Sequence, residues 1–292
     1  MQPNSMNKIF FDRITILGVG LIGASFALAL KKNGLCNEAI GYGRKEENLK
    51  KATARAIIDA FELDPAKACA GSDLIVFATP VGSFFDIAKQ IRNSLRSGVI
   101  VTDVGSVKGT LVRTMEELMP EGASFIGGHP IAGSDRSGID SAEAEIFKGA
   151  KCIITPTEHT DKHALETVIA IWKKLGSLVT LINPNEHDRI YASVSHLPHF
   201  LAYVIMNTVA DIDKSFLHFS GQGFMDTTRI ASSSPELWRD ICLLNKDNLL
   251  KSLELFKKNL DRASQYLRAY DSASLEKDFE KARKLREDIG QH

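Results

Sequence analysis

The histidine in Gly127-Gly128-His129-Pro130-Ile131-Ala132-Gly133-Ser134-Asp135 is wedged between glycines and a proline on what reads as a loop leaving a strand. Such a histidine has little claim to an apolar core face, and an imidazole suits proton transfer near neutral pH, so His129 is the first catalytic candidate. Upstream, Asp103-Val104-Gly105-Ser106-Val107-Lys108 places a hydroxyl just ahead of a helix. Ser106 there is either an N-cap or a hydrogen-bond donor in an active site. Asp103 and Lys108 read as a surface pair, or Lys108 lines a substrate entrance. Downstream come Ser195-His196-Leu197-Pro198-His199, Thr228-Arg229-Ile230-Ala231 and Pro235-Glu236-Leu237-Trp238-Arg239-Asp240. His196 and His199 lack cysteine or carboxylate partners in a zinc pattern, so no metal is expected, and helix capping is the plainer use for them.

These groups need a frame, and it begins at Arg13-Ile14-Thr15-Ile16-Leu17-Gly18-Val19-Gly20-Leu21-Ile22-Gly23. A β-branched strand runs into a G-x-G-x-x-G turn and then a helix, the pattern of a dinucleotide site. Gly18 serves the tight turn, Gly20 the approach of a pyrophosphate, and Gly23 close helix-strand packing. Leu21 and Ile22 open the helix whose N–H groups and positive dipole end face the phosphates. Further strands are expected at 39–42, 73–78, 99–102, 124–126, 152–154 and 178–181, with helices between them at 46–54, 82–95, 107–119 and 161–175. That alternation predicts an α/β fold, a Rossmann-type doubly wound parallel sheet whose ligand edge lies at the strand C-termini. At this edge, Thr79-Pro80 forces an extended exit over the cofactor. Where a ribose-binding acid would close the second strand, the chain has Gly41-Tyr42-Gly43-Arg44-Lys45. Arg44 can pair a 2′-phosphate, which opens the site to NADP; alternatively it only precedes a solvated helix and NAD is used.

Asn183-Pro184-Asn185-Glu186 carries a cap, a proline for the first helical position and a capping-box acid. The expected domains are therefore a dinucleotide-binding domain at 1–183 and an all-helical domain at 184–292, with a long helix over 235–270. The apolar stripes of that lobe predict a homodimer through it. With 36 basic and 36 acidic residues the chain offers no net field for nucleic acid or an anionic membrane. Four scattered cysteines point to free thiols in a reducing, cytoplasmic compartment. Residues 14–30 are almost wholly apolar, but the glycine turn splits them into strand and helix, and they are short for a membrane span.

Taken in order, the glycine turn, Ala78-Thr79-Pro80, the Asp103 to Lys108 run, Gly128-His129-Pro130-Ile131-Ala132-Gly133, Ser195-His196-Leu197-Pro198-His199, and Thr228-Arg229-Ile230-Ala231 through Trp238-Arg239-Asp240 resemble the prephenate/arogenate dehydrogenase family over essentially the whole chain. The resemblance implies NAD(P)-dependent oxidative decarboxylation in tyrosine biosynthesis, from prephenate to 4-hydroxyphenylpyruvate or arogenate to tyrosine. It casts His129 as the base on the ring hydroxyl and Ser106 as the group that orients His129 and the nicotinamide. It gives Arg229 a substrate carboxylate, His196 the side-chain end, and Ser134 and Trp238 further substrate contacts, with Trp238 equally placed as core. Ser233-Ser234-Pro235 stands where many relatives carry Ser-Asp-Pro, which tilts the expectation toward prephenate. No appended ACT-type regulatory domain is expected. Two other readings stay open: a β-hydroxyacid-type dehydrogenase, which would need a catalytic lysine in the helical lobe, and a non-catalytic NAD(P)-sensing dimer.

Overall fold

A computed structural model describes residues 9–132 and 138–289. Ser134 and its neighbours from 133 to 137 lie outside the described residues. Two compact units are present, 1–245 and 246–292.

The first unit alternates strand and helix. It runs β1 (Phe11–Leu17), α1 (Leu21–Lys32), β2 (Cys36–Tyr42), α2 (Glu46–Ala54), β3 (Ala60–Glu62), α3 (Pro65–Cys69), β4 (Leu74–Phe77), α4 (Phe84–Ile91), β5 (Ile100–Asp103), α5 (Gly109–Leu118) and β6 (Ser124–Ile131). It continues through β7 (Lys151–Thr155), α6 (Lys162–Lys174), β8 (Leu178–Leu181), α7 (Pro184–Tyr191), a π-helical turn (Ala192–His196), α8 (Leu197–Asp213), α9 (Gln222–Thr228), a 3-10 turn (Arg229–Ser232) and α10 (Pro235–Leu244). The strands form one sheet in the order β3-β2-β1-β4-β5-β6-β7-β8. Strand order reverses between β1 and β4, which opens the crevice where doubly wound sheets bind ligands. The continuous apolar run of β4 and the fully buried second half of β1, Ile14 to Leu17, suit strands covered on both faces. In one core layer Phe147 packs edge-on against Phe26 and Trp172, and in the other Phe77 and Phe84 meet at a tilt.

The sheet departs from the parallel expectation at one place. β6 and β7 are antiparallel, with His129 opposite Ile153. Between them the described residues hold only a 3-10 turn, Ile139–Ser141, and no helix returns the chain to the far edge as a parallel crossover requires. Pairing with β7 also carries β6 past the point where β5 stops, so His129 sits inside a strand and not on the expected loop. The short β3 and α3 went unread because they are only three and five residues long.

Asn183 accepts from the Asn185 N–H at 2.9 Å and Pro184 takes the first helical position, so the cap read from sequence starts α7. Glu186 instead pairs with Arg189 at 2.8 Å. The helix expected over 235–270 ends at Leu244, with Asn245 as its C-cap. The second unit comprises α11 (Lys246–Arg268) and α12 (Ser272–Ile289). Its apolar residues Leu250, Leu255, Leu260, Leu267, Phe279 and Leu285 are exposed in the single chain. No helix among the described residues is long and apolar enough to cross a membrane.

Candidate active site

The glycine turn has the shape a dinucleotide needs. Gly18 has φ +105°, and a Cβ there would lie 2.5 Å from the Thr79 nitrogen, so only glycine fits. A Cβ on Gly23 would stand 2.2 Å from the Gly18 carbonyl, which is how closely α1 is drawn onto β1. Gly20, by contrast, faces open space. That leaves the N-terminus of α1, with no acidic residue in its first turn, bare toward an anion. A cleft of about 600 Å³ runs past Gly18, Gly20, Arg44, Thr79, Pro80 and Asp240. Thr79 accepts the Ser83 hydroxyl at 2.8 Å. Arg44 is largely exposed and faces Glu236 across the cleft at 3.5 Å. A Cβ on Gly43 would make only an ordinary contact with Leu49, 3.5 Å away, so packing does not exclude an acid there.

The edge continues at β5 and β6. Asp103 and Lys108 are not a surface pair: both side chains are fully buried, with Lys108 Nζ 2.5 Å from Asp103 Oδ2. The carboxylate also accepts the Gly105 N–H at 2.8 Å and the Gly128 N–H at 2.9 Å, tying the end of β5 to the residue before His129. Burial raises the Asp103 carboxyl above its ordinary value, and the Lys108 ammonium opposes that rise. Lys108 therefore lines no substrate entrance. Nor is Ser106 the cap of α5, which begins three residues later at Gly109. The cap comes from a distant residue: Asp188 on α7 accepts the Lys108 N–H at 2.7 Å and the Gly109 N–H at 2.8 Å. Half-buried Ser106 keeps its hydroxyl out of the capping role, on the loop between Asp103 and α5.

His129 is 8% exposed. Its Nδ1 lies 2.8 Å from Nε2 of His187, and His187 Nδ1 lies 2.8 Å from Asp188 Oδ1. Tyr191 closes the group, stacked on His187 with ring centres 4.5 Å apart and edge-on to His129 at 4.9 Å. Desolvation first, then the neighbouring His187 and Lys108, hold His129 well below the ordinary histidine value; burial brings His187 down to about 2. Both rings are neutral at physiological pH, the state a proton-accepting imidazole requires. Sequence reasoning missed His187, Asp188 and Tyr191. Their signal is the spacing of His187 and Tyr191, which puts two aromatic polar groups one turn apart on the same helical face just after a cap.

The π-helical turn interrupts the helical run beside this cluster, a distortion that often marks functional sites. It orients two histidines differently. His196 is completely enclosed, with Nδ1 3.1 Å from the Asn245 amide; burial lowers it to about 4, with Asp188 and the Ser106 backbone acting the other way. His199, half-buried, donates to the Ser195 carbonyl at 3.0 Å and stacks on Trp238 with ring centres 3.6 Å apart. Trp238 is thus both core and wall: 9% exposed, packed in the α4 layer, and capped by the His199 ring. Arg229 is exposed at the start of its 3-10 turn, and Tyr203 of α8 anchors that turn by donating to the Ser233 carbonyl at 2.8 Å. Ser234 caps α10 through the Leu237 N–H at 3.3 Å. A second cavity of about 380 Å³, around Arg113, Glu116 and Asp161, holds none of these groups, and its Glu116 carboxylate is engaged by the Thr157 and Thr160 hydroxyls.

Residues 26–181 match a family model for the prephenate dehydrogenase nucleotide-binding domain, and residues 183–281 one for the prephenate dehydrogenase dimerization domain. The chain belongs to the prephenate dehydrogenase family. It is 33% identical to a prephenate dehydrogenase of Bacillus subtilis, over 95% of this chain and 76% of that protein. A crystal structure of prephenate dehydrogenase from Aquifex aeolicus, in complex with hydroxyphenyl propionate and NAD+, superposes with a TM-score of 0.89 at 34% identity, covering 95% of this chain and 98% of that one. Synechocystis arogenate dehydrogenase superposes with a TM-score of 0.78 at 31% identity, covering 95% and 99%. The family is one of nicotinamide-dependent oxidoreductases, and the glycine cradle of this member fits such a cofactor.

Proposed function

We propose that this member of the family oxidises and decarboxylates prephenate to 4-hydroxyphenylpyruvate, with His129 as the base. What carries the reading is a buried, neutral histidine on the same sheet edge as a dinucleotide cradle. Gly18, Gly20 and the first N–H groups of α1, at Leu21 and Ile22, would hold the pyrophosphate, with Gly23 keeping α1 close to β1 and Thr79 and Pro80 lining the cleft. A bound nicotinamide supplies the hydride acceptor. His129 takes the proton of the ring hydroxyl, so that its oxygen can become a carbonyl as the C4–H bond is lost. The ring carboxylate then leaves as CO2, its bonding pair enters the ring, and aromaticity drives the step. The imidazolium returns its proton to the phenolic oxygen. Ser106, on the β5 loop, orients the base and the nicotinamide. Arg229 takes a substrate carboxylate in a bidentate grip. Of the two histidines, His196, read for the side-chain end of the substrate, is enclosed and His199 is the more open, so His199 takes that contact.

Prephenate is favoured over arogenate because Ser233 and Ser234 offer no carboxylate to an ammonium: one supplies a carbonyl to Tyr203 and the other caps a helix. For the cofactor, Arg44 together with the missing acid at Gly43 admits NADP alongside NAD. The apolar residues exposed on α11 and α12, in the region that matches a dimerization domain, support a homodimer. The test crosses prephenate and arogenate with NAD and NADP, following reduced-nicotinamide absorbance. Turnover fastest with prephenate is expected; silence in all four mixtures with cofactor still bound would overturn the reading. His129→Asn should lower kcat by about 100-fold or more while NAD affinity stays within a factor of about two.

A further inference from the structure

His129 is useful as a base only if the nitrogen offered to substrate carries a lone pair. A neutral imidazole has one protonated and one bare nitrogen, and in water the proton favours Nε2. Left alone, His129 would therefore present a donor where an acceptor is needed. The chain behind it settles the matter by hydrogen-bond accounting. Asp188 sits at the N-terminus of α5 and receives two backbone N–H groups, one on each oxygen, at 2.7 and 2.8 Å. Burial raises the Asp188 carboxyl above its ordinary value; those two donors, the Lys108 ammonium and the helix dipole oppose that rise and favour the carboxylate form, which accepts only. A Cβ on Gly109 would lie 2.7 Å from Asp188 Oδ2, so glycine at that position is what lets the carboxylate reach the helix end. The third donor to Asp188 must then be His187 Nδ1–H, at 2.8 Å. His187 Nε2 is consequently bare, and the only way His129 Nδ1 can bond to it at 2.8 Å is by donating a proton. His129 Nε2 is left with the lone pair.

We infer that His187, fixed by Asp188, is a positioning residue that sets the tautomer of His129 and so makes its Nε2 the basic nitrogen. This rests on the reading of His129 as the base. It also explains why Tyr191 stacks on His187: the ring plane is held so that both nitrogens stay in line. When His129 takes a proton at Nε2, its Nδ1–H goes on donating to His187 Nε2, so neither ring has to move.

The test is long-range proton-nitrogen NMR of full-length enzyme labelled in its eight histidines, with NAD+ added and no substrate. The His129 signals are assigned by their loss in His129→Asn. In the wild type, His129 should be protonated at Nδ1 and bare at Nε2, and His187 protonated at Nδ1. His187→Leu removes the acceptor; the His129 proton should move to Nε2, and kcat should fall about 100-fold with KM within about twofold. His187→Gln, whose amide oxygen can occupy the place of Nε2, should restore the Nδ1–H form and most of the rate. A wild-type spectrum with His129 protonated at Nε2 would overturn the inference. So would a His187→Leu enzyme that loses rate with the tautomer unchanged, since that is the mark of packing alone. The spectrum needs no turnover, so a wild-type enzyme inactive on prephenate would sink the functional reading and leave the tautomer assignment standing.

Discussion

Replacing Lys108 with methionine tests whether the buried pair beneath the site is structural, as its geometry requires. Lys108 and Asp103 have no exposed side-chain surface, and the ammonium makes three contacts: Asp103 Oδ2 at 2.5 Å and the Gly105 and Val107 carbonyls at 2.8 and 3.2 Å. Methionine matches the length and volume of the stem, so cavity formation contributes little. The loss is electrostatic, because the Asp103 carboxylate remains buried with two backbone N–H donors and no cation. Breaking one side of a buried pair costs about 3–5 kcal/mol. At about 2–4 °C per kcal/mol for a chain of this size, the melting midpoint should fall by about 6–20 °C. The pH dependence has a definite sign. Burial already raises Asp103 and Lys108 opposes that rise, so Lys108→Met raises the folded-state carboxyl further. A raised carboxyl stabilises below its unfolded value and loses that contribution as pH rises through the folded value. The deficit relative to wild type is therefore largest at neutral and alkaline pH and shrinks on acidification as Asp103 takes up a proton. Circular dichroism melts across pH measure both features. A midpoint within about 2 °C of wild type at neutral pH, or a deficit that grows on acidification, would refute the argument.

Three further outcomes follow from the site. Because burial holds His129 well below the ordinary histidine value, kcat/KM should persist below pH 6.5 and fall only as pH drops through that lowered value; an acid limb at 6.5 or above would contradict it. Gly43→Asp has room beside Leu49 and should disfavour NADP by about 10- to 100-fold in kcat/KM, or about 1.4–2.8 kcal/mol, with NAD little changed. Equal loss with both cofactors would remove the 2′-phosphate argument. Gly23→Ala forces a Cβ to within 2.2 Å of the Gly18 carbonyl and should cost about 1–3 kcal/mol of stability and weaken NAD binding in a titration; unchanged values for both would refute the close-packing account.

Much of this was legible in the residues because it rests on local rules. β-branched runs, the Gly18, Gly20 and Gly23 spacing, and the Asn183-Pro184 start signal each act over a few residues, and each forms the element expected of it. The site itself is legible only in part. His129 stood out by its neighbours, and Trp238 by its motif, but the register that carries β6 past β5 and pairs His129 with Ile153 depends on β7, more than twenty residues away. Burial decides the rest. Asp103 and Lys108 look like any exposed pair in sequence and become a sealed ion pair only when β5, α5 and β6 close over them. Asp188 caps a helix some eighty residues earlier in the chain, and His187 gains meaning only because that cap fixes its proton. Sequence by itself determined the elements and the chemical inventory, since backbone preference and side-chain type are local properties. Tertiary structure alone decided which of those groups lose water and which nitrogen carries a proton, because desolvation and hydrogen-bond partners come from residues distant in the chain.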